Sequence, residues 1–338
     1  MKVLVTGATG FVGGHVLAAL AGGPAAGGGI TVIAACRDPS RLPADFDGEV
    51  RAGDLRDGGY VDALPRGVDV VVHAAAWSSL YGNERHIEAR FLGPTLRLLD
   101  AVEAAGVSRL LFPSTHGAAP AGKGRDARTP GEAPAYWPHL GAVVAIEDEL
   151  RRRASPVLTT VVLRLGLFVG ERYSLGLLPI LTERLKTRLV PWVDGGRPPM
   201  PLIDGADIGE AFRLAATAEG LSGYEAFNIL GPSVPTMRDL VTFLSERGGY
   251  PKPFFGVPFS LAFPFARLMR AIDPVVPWEP LIVPAIIHLL QDFRVDNEAA
   301  AARLGYRPKV PWQDAVERQL TEMSWRQTTP MKMRKPLD

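Results

Sequence analysis

A glycine-rich turn near the amino terminus constrains the fold more than any other feature of the chain. The run Thr6-Gly7-Ala8-Thr9-Gly10-Phe11-Val12-Gly13 directly follows an apolar strand pattern at Val3–Val5 and opens a helical pattern. Gly7 permits a tight turn, Gly10 lets the backbone approach a pyrophosphate and Gly13 allows close helix packing. The free N–H groups and the dipole at a helix start favour phosphate charge. The run therefore predicts a dinucleotide site, formed by Gly7, Thr9, Gly10, Phe11, Val12 and Gly13.

The first half of the chain alternates short apolar strand patterns with helical patterns, as parallel sheets with crossover helices do. The predicted strands are Val3–Val5, Ile30–Ala35, Val50–Arg51, Val68–His73, Leu110–Pro113 and Thr159–Leu165. Helical patterns fall near 12–21, 87–105 and 139–152, and Gly22–Gly29 is expected to be a loop. We predict an α/β fold: a Rossmann, doubly wound parallel sheet with a smaller, mostly helical C-terminal substrate lobe. The expected domains are 1–170 (NADP-binding), 171–330 (substrate lobe, with some segments returning to the Rossmann core) and a tail at 331–338.

Composition limits the partners of the protein. The 338 residues are 47% hydrophobic and 22% charged, with a formal net charge of +1, which gives no bias toward nucleic acid or anionic membrane. The single cysteine, Cys36, excludes an intramolecular disulfide, and the chain starts in a strand pattern rather than a signal peptide, so we expect a cytoplasmic protein. The longest uncharged piece of the apolar 253–291 stretch, 253–266, is too short for a transmembrane segment, although contact with a membrane surface stays open. The expected partner is a small hydrophobic molecule, and a homodimer is left open.

The end of the second predicted strand indicates which dinucleotide is bound. An NAD site would place an acidic group there for the ribose hydroxyl, whereas Arg37, Ser40 and Arg41 offer donors to a 2′-phosphate. We therefore expect NADP(H) as the cofactor, although Asp38 is also present. The remaining predicted contacts to the cofactor follow later strands: Asp54, Leu55, Ala74, Ala75, Ala76 and Pro113.

These motifs resemble those of extended short-chain dehydrogenases/reductases, including NAD-dependent epimerases/dehydratases and 3β-hydroxysteroid dehydrogenases. Later landmarks extend the resemblance over nearly the whole chain: Arg164–Gly170, Asp207–Gly209, Phe227–Ile229 and Leu304–Pro308. The resemblance implies oxidation or reduction at carbon by a Tyr-x-x-x-Lys pair, in which the lysine lowers the pKa of the tyrosine. An unassisted tyrosine, with a pKa of about 10, is seldom ionised at neutral pH.

The chain contains no Tyr-x-x-x-Lys sequence. The family alignment puts His139 at the tyrosine position and Val143 at the lysine position. A shift of register to Tyr136 restores the phenol, but its fourth follower is Leu140. Thr115 occupies or adjoins the family's catalytic serine position, so a hydroxyl is kept. In this respect the sequence is similar to atypical ketoreductases that act on aromatic polyketides.

Three functions remain open at this point. The first is an NADPH-dependent ketoreductase of secondary metabolism in which Thr115 binds the carbonyl and the proton comes from His139, the substrate or water. The second is an isomerase, cyclase or dehydratase on the same fold, and the third is a non-catalytic NADP(H)-sensing protein. His139 could equally be a helix-cap or pocket-wall residue. Aromatic residues expected around a flat substrate are Trp77, Tyr81, His116 and Trp137, and we expect no metal.

Overall fold

A parallel sheet of seven strands forms the centre of the computed structural model, which describes residues 1–22, 29–77, 84–173, 176–272 and 284–328. Six of the strands come from the first half of the chain: β1 (Lys2–Thr6), β2 (Thr31–Cys36), β3 (Glu49–Ala52), β4 (Val70–His73), β5 (Arg109–Thr115) and β6 (Thr159–Leu165). Their order is β3-β2-β1-β4-β5-β6, with a later strand beyond β6. Every pairing is parallel, so all the carboxyl ends lie at one edge.

Helices connect these strands and cover both faces of the sheet. In chain order they are α1 (Phe11–Gly22), α2 (Gly58–Ala63), α3 (Glu84–Ile87), α4 (Gly93–Ala104) and α5 (Pro138–Arg153). A π-helical turn at Glu88–Leu92 joins α3 to α4. Alternate residues of β1 belong to different cores: Val3 and Val5 pack with α1, whereas Leu4 packs with α4 and α5. This alternation is the two-residue period of a strand that is buried on both faces.

The second half of the chain forms further helices and short strands. They are β7 (Leu167–Val169), α6 (Leu177–Lys186), β8 (Trp192–Val193), β9 (Leu202–Asp204), α7 (Gly205–Thr217), β10 (Tyr224–Ile229), α8 (Met237–Gly248), β11 (Gly256–Val257), α9 (Phe259–Ile272), α10 (Pro284–Leu289), α11 (Glu298–Leu304) and α12 (Trp312–Thr328). A third hydrophobic cluster unites residues of α6, α8, α9, α10 and α12, and two parallel strand pairs, β7 with β9 and β8 with β11, flank it.

A buried ion pair connects the sheet to α5. Arg164 of β6 and Glu147 of α5 are both fully buried and joined at 2.6 Å, and Glu147 also accepts the hydroxyl of Ser114. The Arg164 guanidinium donates a further hydrogen bond to the carbonyl of Thr129. Because an unpaired charge in this interior would be costly, the network fixes α5 against the carboxyl ends of β5 and β6.

The predicted fold class is confirmed, and each of the six predicted strands is present within two residues of its expected limits. The seventh strand, β10, was not predicted as a strand, and it returns from the second half of the chain to pair with β6. The domain boundary at 170 stays a prediction. Residues 23–28 of the expected loop and the tail at 331–338 lie outside the described residues. Within the described ranges, no helix is both long and apolar enough to cross a bilayer.

Candidate active site

The glycine turn after β1 is closed by backbone contacts. Gly7 has a φ of +63°, which favours glycine, and a side chain there would lie 2.7 Å from the backbone of Ala75. A Cβ on Gly13 would collide with the carbonyl of Gly7, so α1 approaches the turn as closely as glycine allows. The Gly10 amide donates to the Gly7 carbonyl at 2.8 Å. Since no side chain covers these glycines, a ligand can approach the backbone at the start of α1, where the helix dipole favours an anion.

A buried histidine braces this turn from β4. The ring of His73 lies between two threonine hydroxyls, with Nδ1 2.8 Å from Thr6 Oγ1 and Nε2 3.0 Å from Thr95 Oγ1. Thr6 Oγ1 also accepts the amide of Ala75 at 3.2 Å. Burial lowers the pKa of His73 to about 4, so the ring is neutral at pH 7. Ala74 and Ala75 are thus positioned against Gly7, whereas Ala76 is exposed.

The predicted phosphate-binding residues lie around a short 3-10 helix, Pro39–Arg41, after β2. Asp38 caps this helix, accepting the Ser40 amide at 3.1 Å and the Ser40 hydroxyl at 2.6 Å. Arg37 and Arg41 are exposed. The Asp38 carboxylate and the Ser40 hydroxyl are thus hydrogen-bonded to each other. The guanidinium groups of Arg37 and Arg41 supply positive charge at the end of β2.

Asp54 follows β3 near these arginines. Its carboxylate accepts hydrogen bonds from Arg56, the closest at 2.7 Å. This pairing, helped by the charge of Arg37, lowers the pKa of Asp54 to about 2. The neighbouring Leu55 packs against the core on the α4 side of the sheet. The ionised Asp54 is therefore held by Arg56 at the same edge as Arg37.

Thr115 ends β5 and caps the 3-10 helix His116–Ala118. Its Oγ1 accepts the amide of Gly117 at 3.2 Å, which leaves the hydroxyl hydrogen able to donate. Pro113, two residues earlier, is half-buried. The retained hydroxyl thus lies at the carboxyl edge, two strands from the glycine turn.

His116 is fully buried below this hydroxyl rather than open to a ligand. Its Nδ1 lies 3.2 Å from the carbonyl of Leu165 and therefore carries the hydrogen, while Nε2 has no hydrogen-bond partner among the described residues. Burial lowers the pKa of His116 to about 4. The ring packs edge-on against Phe293.

His139 lies in the first turn of α5, with its ring tilted against Phe91 at 5.4 Å. Burial lowers its pKa to about 4, and a hydrogen bond to the carbonyl of Trp77 only partly opposes this shift. Nδ1 is buried and has no partner among the described residues, so Nε2 makes the bond to Trp77. At pH 7 His139 is therefore a neutral imidazole whose free nitrogen is an acceptor. Val143, one turn later, is buried in the core.

Sequence reasoning missed a hydrogen-bonded pair next to Thr115. His288 of α10 donates from Nε2 to the carbonyl of Gly117 at 2.8 Å, so its Nδ1 is an acceptor. The Tyr136 hydroxyl lies 3.4 Å from that Nδ1, and the Gln291 amide lies 3.0 Å from it. A Cβ on Gly117 would lie 3.6 Å from Thr115 Oγ1 and 3.8 Å from the His288 ring, so both groups flank this glycine. Of this pair, only Tyr136 was noticed in the sequence, as a phenol three residues before His139, the predicted position of the family's tyrosine.

A cavity of about 800 Å³ opens beside this pair. Its walls come from the loop between β5 and α5, from α9 and from α10: Ala119, Glu132, Pro134, Tyr136, Phe263, Pro264, Arg267, His288 and Gln291 among them. The surface of the cavity is mainly apolar, and the polar side chains that line it are Glu132, Tyr136, Arg267, His288 and Gln291. A volume of this size fits the range of small-molecule sites.

The predicted aromatic pocket is only partly assembled. Trp137 is 5% exposed and packs edge-on against His288, 5.7 Å between ring centroids. Trp77, four residues after the end of β4, is half-buried. The Arg90 guanidinium lies over its ring, and its backbone carbonyl accepts the hydrogen bond from His139. Tyr81 lies outside the described residues. In the described part of the chain, no three metal-binding side chains come together.

Comparisons with known proteins identify the family of the chain and several relatives. The model of the NAD dependent epimerase/dehydratase family matches residues 3–229, which include the glycine turn and all seven strands of the main sheet. The chain is 24% identical to 4-hydroxy-2-methyl-3-oxo-4-farnesyl-3,4-dihydroquinoline-1-oxide ketoreductase of Stigmatella aurantiaca, over 94% of this chain and 95% of that protein. It is 27% identical to 2-alkyl-3-oxoalkanoate reductase of Stenotrophomonas maltophilia, over 94% and 98% of the two chains.

Among solved structures, gox2253 has a similar fold, with a TM-score of 0.73, 23% identity, and coverage of 97% of this chain and 98% of that one. Together, the family match and the two reductases support an oxidoreductase with a nicotinamide dinucleotide cofactor.

Proposed function

The chain belongs to the NAD dependent epimerase/dehydratase family, and on that premise we propose that it is an NADPH-dependent reductase of a ketone on a hydrophobic substrate. The observation that carries the proposal is the placement of the glycine turn and Thr115. Both follow parallel strands at one carboxyl edge, with only β4 between β1 and β5. Adjacent strands are about 4.8 Å apart, so the two features lie roughly 10 Å from each other across the sheet, within the span of a dinucleotide.

The choice of NADPH depends on the charges after β2. Arg37 and Arg41 are exposed there, and the acidic group that could bind a ribose hydroxyl, Asp38, caps the helix that contains Ser40. Guanidinium groups bind phosphate strongly through charge-assisted hydrogen bonds. This arrangement supports a 2′-phosphate over a bare hydroxyl.

Thr115 is proposed to hold the substrate. Its oxygen already accepts a backbone amide, so its hydrogen can be donated to the carbonyl oxygen of a ketone. When bound, NADPH supplies the hydride that reduces the carbonyl carbon. A hydrogen bond from Thr115 stabilises the negative charge that then develops on the oxygen.

The proton for that oxygen is proposed to come from the substrate or from water. His139 stays the third candidate, but its pKa of about 4 leaves it neutral at pH 7, and its Nε2 hydrogen is already bonded to the carbonyl of Trp77. Its buried Nδ1 could accept a hydrogen bond from a substrate hydroxyl, such as a phenol beside the ketone. In that role His139 orients the proton source rather than supplying the proton.

The substrate class is proposed from the cavity and from the two reductases. The cavity of about 800 Å³ is mainly apolar, and its polar groups are Glu132, Tyr136, Arg267, His288 and Gln291. The names of the related enzymes describe ketones with farnesyl or alkyl chains. A polycyclic or polyketide-like ketone with a large apolar body is the class that fits both.

A turnover assay tests the proposal. The purified protein is mixed with NADPH and a panel of polycyclic and long-chain ketones, with loss of NADPH absorbance and formation of alcohol as readouts. Reduction of at least one ketone, with stoichiometric loss of NADPH, supports the proposal. A changed substrate without loss of NADPH would instead indicate an isomerase, cyclase or dehydratase, and binding of NADPH without any turnover would indicate a sensor.

A further inference from the structure

Helix α9 exposes large apolar side chains along one face. Leu261, Phe265 and Leu268 are 57%, 44% and 59% exposed. Their spacing of four and three residues places them on the same side of the helix. The one charged residue between the two leucines, Arg267, lies about 100° or more away from them around the helix axis.

The opposite face of α9 is the one that packs into the protein. Ala262 and Ala266 are buried in the third hydrophobic cluster, and Phe259 and Phe263 are partly buried against it. Two opposite faces of α9 are therefore apolar, one packed into the protein and one exposed, and the exposed face has no covering partner among the described residues.

The segment before α9 also exposes large apolar side chains. Phe254 and Phe255 are 75% and 38% exposed, and their rings touch each other at 5.1 Å. Of the ten exposed large hydrophobic side chains among the described residues, these two and the three of α9 fall within 254–268. Single exposed apolar residues on a surface are ordinary, but several of them within one segment of the chain are typical of an interaction site. We call these five residues the apolar patch.

The charges around the apolar patch indicate what binds there. Residues 249–268 include Lys252 and Arg267 but no aspartate or glutamate, a local charge of +2 in a chain whose total is +1. Two copies of this surface facing each other would bring like charges together. An anionic lipid surface instead attracts the basic residues, and its acyl region accepts leucine and phenylalanine.

The apolar patch also adjoins the cavity of the candidate active site. Phe263, Pro264 and Arg267 of the same helix line the cavity, together with Tyr136 and His288. We propose that α9 and the preceding loop dock the protein on an anionic membrane surface, with the mouth of the cavity facing the lipid. Hydrophobic substrates would then reach the cavity from the bilayer, a consequence that rests on the proposed function. At 14 residues α9 is too short to span the membrane, so it lies at the interface.

Vesicle co-sedimentation of the full chain tests the docking. We expect the protein to sediment with vesicles of phosphatidylcholine and phosphatidylglycerol at low salt, and at least tenfold less with pure phosphatidylcholine or at high salt. The double variant Leu261→Asp/Phe265→Asp should lose at least tenfold of this binding. Val157→Asp is the matched control, because Val157 is 81% exposed outside the patch, and it should bind like the unchanged protein.

Circular dichroism melting of each variant shows that it is folded; if the double variant is not, the single variant Phe265→Asp replaces it. Absence of vesicle binding by the unchanged protein would overturn the proposal, as would equal binding by the patch variants. A dimer that dissociates in the patch variants, without vesicle binding, would assign the surface to a second copy of the chain. None of these readouts needs turnover, so their failure leaves the proposed reductase activity untouched, and a failed turnover assay leaves the docking standing.

Discussion

The turn after β1 and the turn after β5 lie at the same edge of the sheet but are built differently. The first is made of contiguous backbone, with Gly7 and Gly13 fitted closely against neighbouring main chain. The second brings Thr115 together with side chains from α10 and from the loop before α5, such as His288 and Tyr136. In the predicted alignment with the family, His139 and Val143 stand at the tyrosine and lysine positions.

This difference shows which part of such a site can change. A backbone cradle tolerates little variation, because any side chain at Gly7 or Gly13 meets main-chain atoms. Side chains that supply protons can be replaced without loss of the fold, provided that the scaffold below them is kept. We therefore expect the cofactor end of the site, formed by the glycine turn, to follow the family. The chemical end, around Thr115 and His139, should depart from it.

The largest predicted effect concerns the scaffold below the chemical end. Glu147→Gln should lower the free energy of unfolding by about 3 to 5 kcal/mol, because it leaves the Arg164 cation buried without its carboxylate. Urea denaturation measures the change. Glu149→Gln on the same helix is the control. Glu149 pairs with the exposed Arg152 and with Arg153, which keeps Asp100 and Glu103 as partners, so its loss should cost less than about 1 kcal/mol. Equal effects of the two variants would refute the importance of the buried pair.

Acid should weaken both ends of the site. His73 at the glycine turn, and His116 and His139 at the chemical end, have their pKa values lowered from 6.5 to about 4. The unfolded chain therefore binds protons first, so stability is complete above pH 6.5 and falls as the pH drops toward 4. The loss is on the order of 3 kcal/mol per histidine at pH 4. Thermal unfolding between pH 4 and 8 measures it, and a flat profile would show that these rings are not buried as neutral groups.

Removal of the Thr115 hydroxyl should separate chemistry from cofactor binding. Thr115→Val should lower kcat for ketone reduction by about 100-fold, the usual effect of losing one donor to a developing oxyanion. NADPH affinity should stay the same, because the glycine turn is unchanged. Thr115→Ser keeps the hydroxyl and should retain most of the activity. If valine is as active as serine, Thr115 does not bind the carbonyl.

A smaller effect is expected at the cofactor end. Arg37→Ala should weaken NADPH binding about tenfold, or roughly 1.4 kcal/mol, and leave NADH binding unchanged, since only NADPH has the extra phosphate. Fluorescence titration with each cofactor measures the ratio. Arg128→Ala, at an exposed arginine in the loop between β5 and α5, serves as the control. Equal losses for NADPH and NADH would remove Arg37 from the phosphate site.

The sequence predicted the glycine turn because its residues are adjacent in the chain and their spacing has a direct geometric meaning. Six strands were predicted for a similar reason, as short apolar runs between turns. The pair Tyr136 and His288 could not be predicted, since 152 residues separate them and only the packing of α10 on the loop after β5 brings them together. The same holds for His139, whose lowered pKa results from burial against Phe91 and not from any motif. β10 pairs with β6 although about 60 residues separate the two strands in the chain, and no pattern in the sequence near β10 indicates this pairing.

Isothermal titration calorimetry of the purified protein with NADPH and with NADH tests the central claim most directly. We predict saturable binding of one NADPH per chain, with a tighter Kd than for NADH. If a folded sample shows neither binding heat nor saturation with NADPH or with NADH, the account is contradicted.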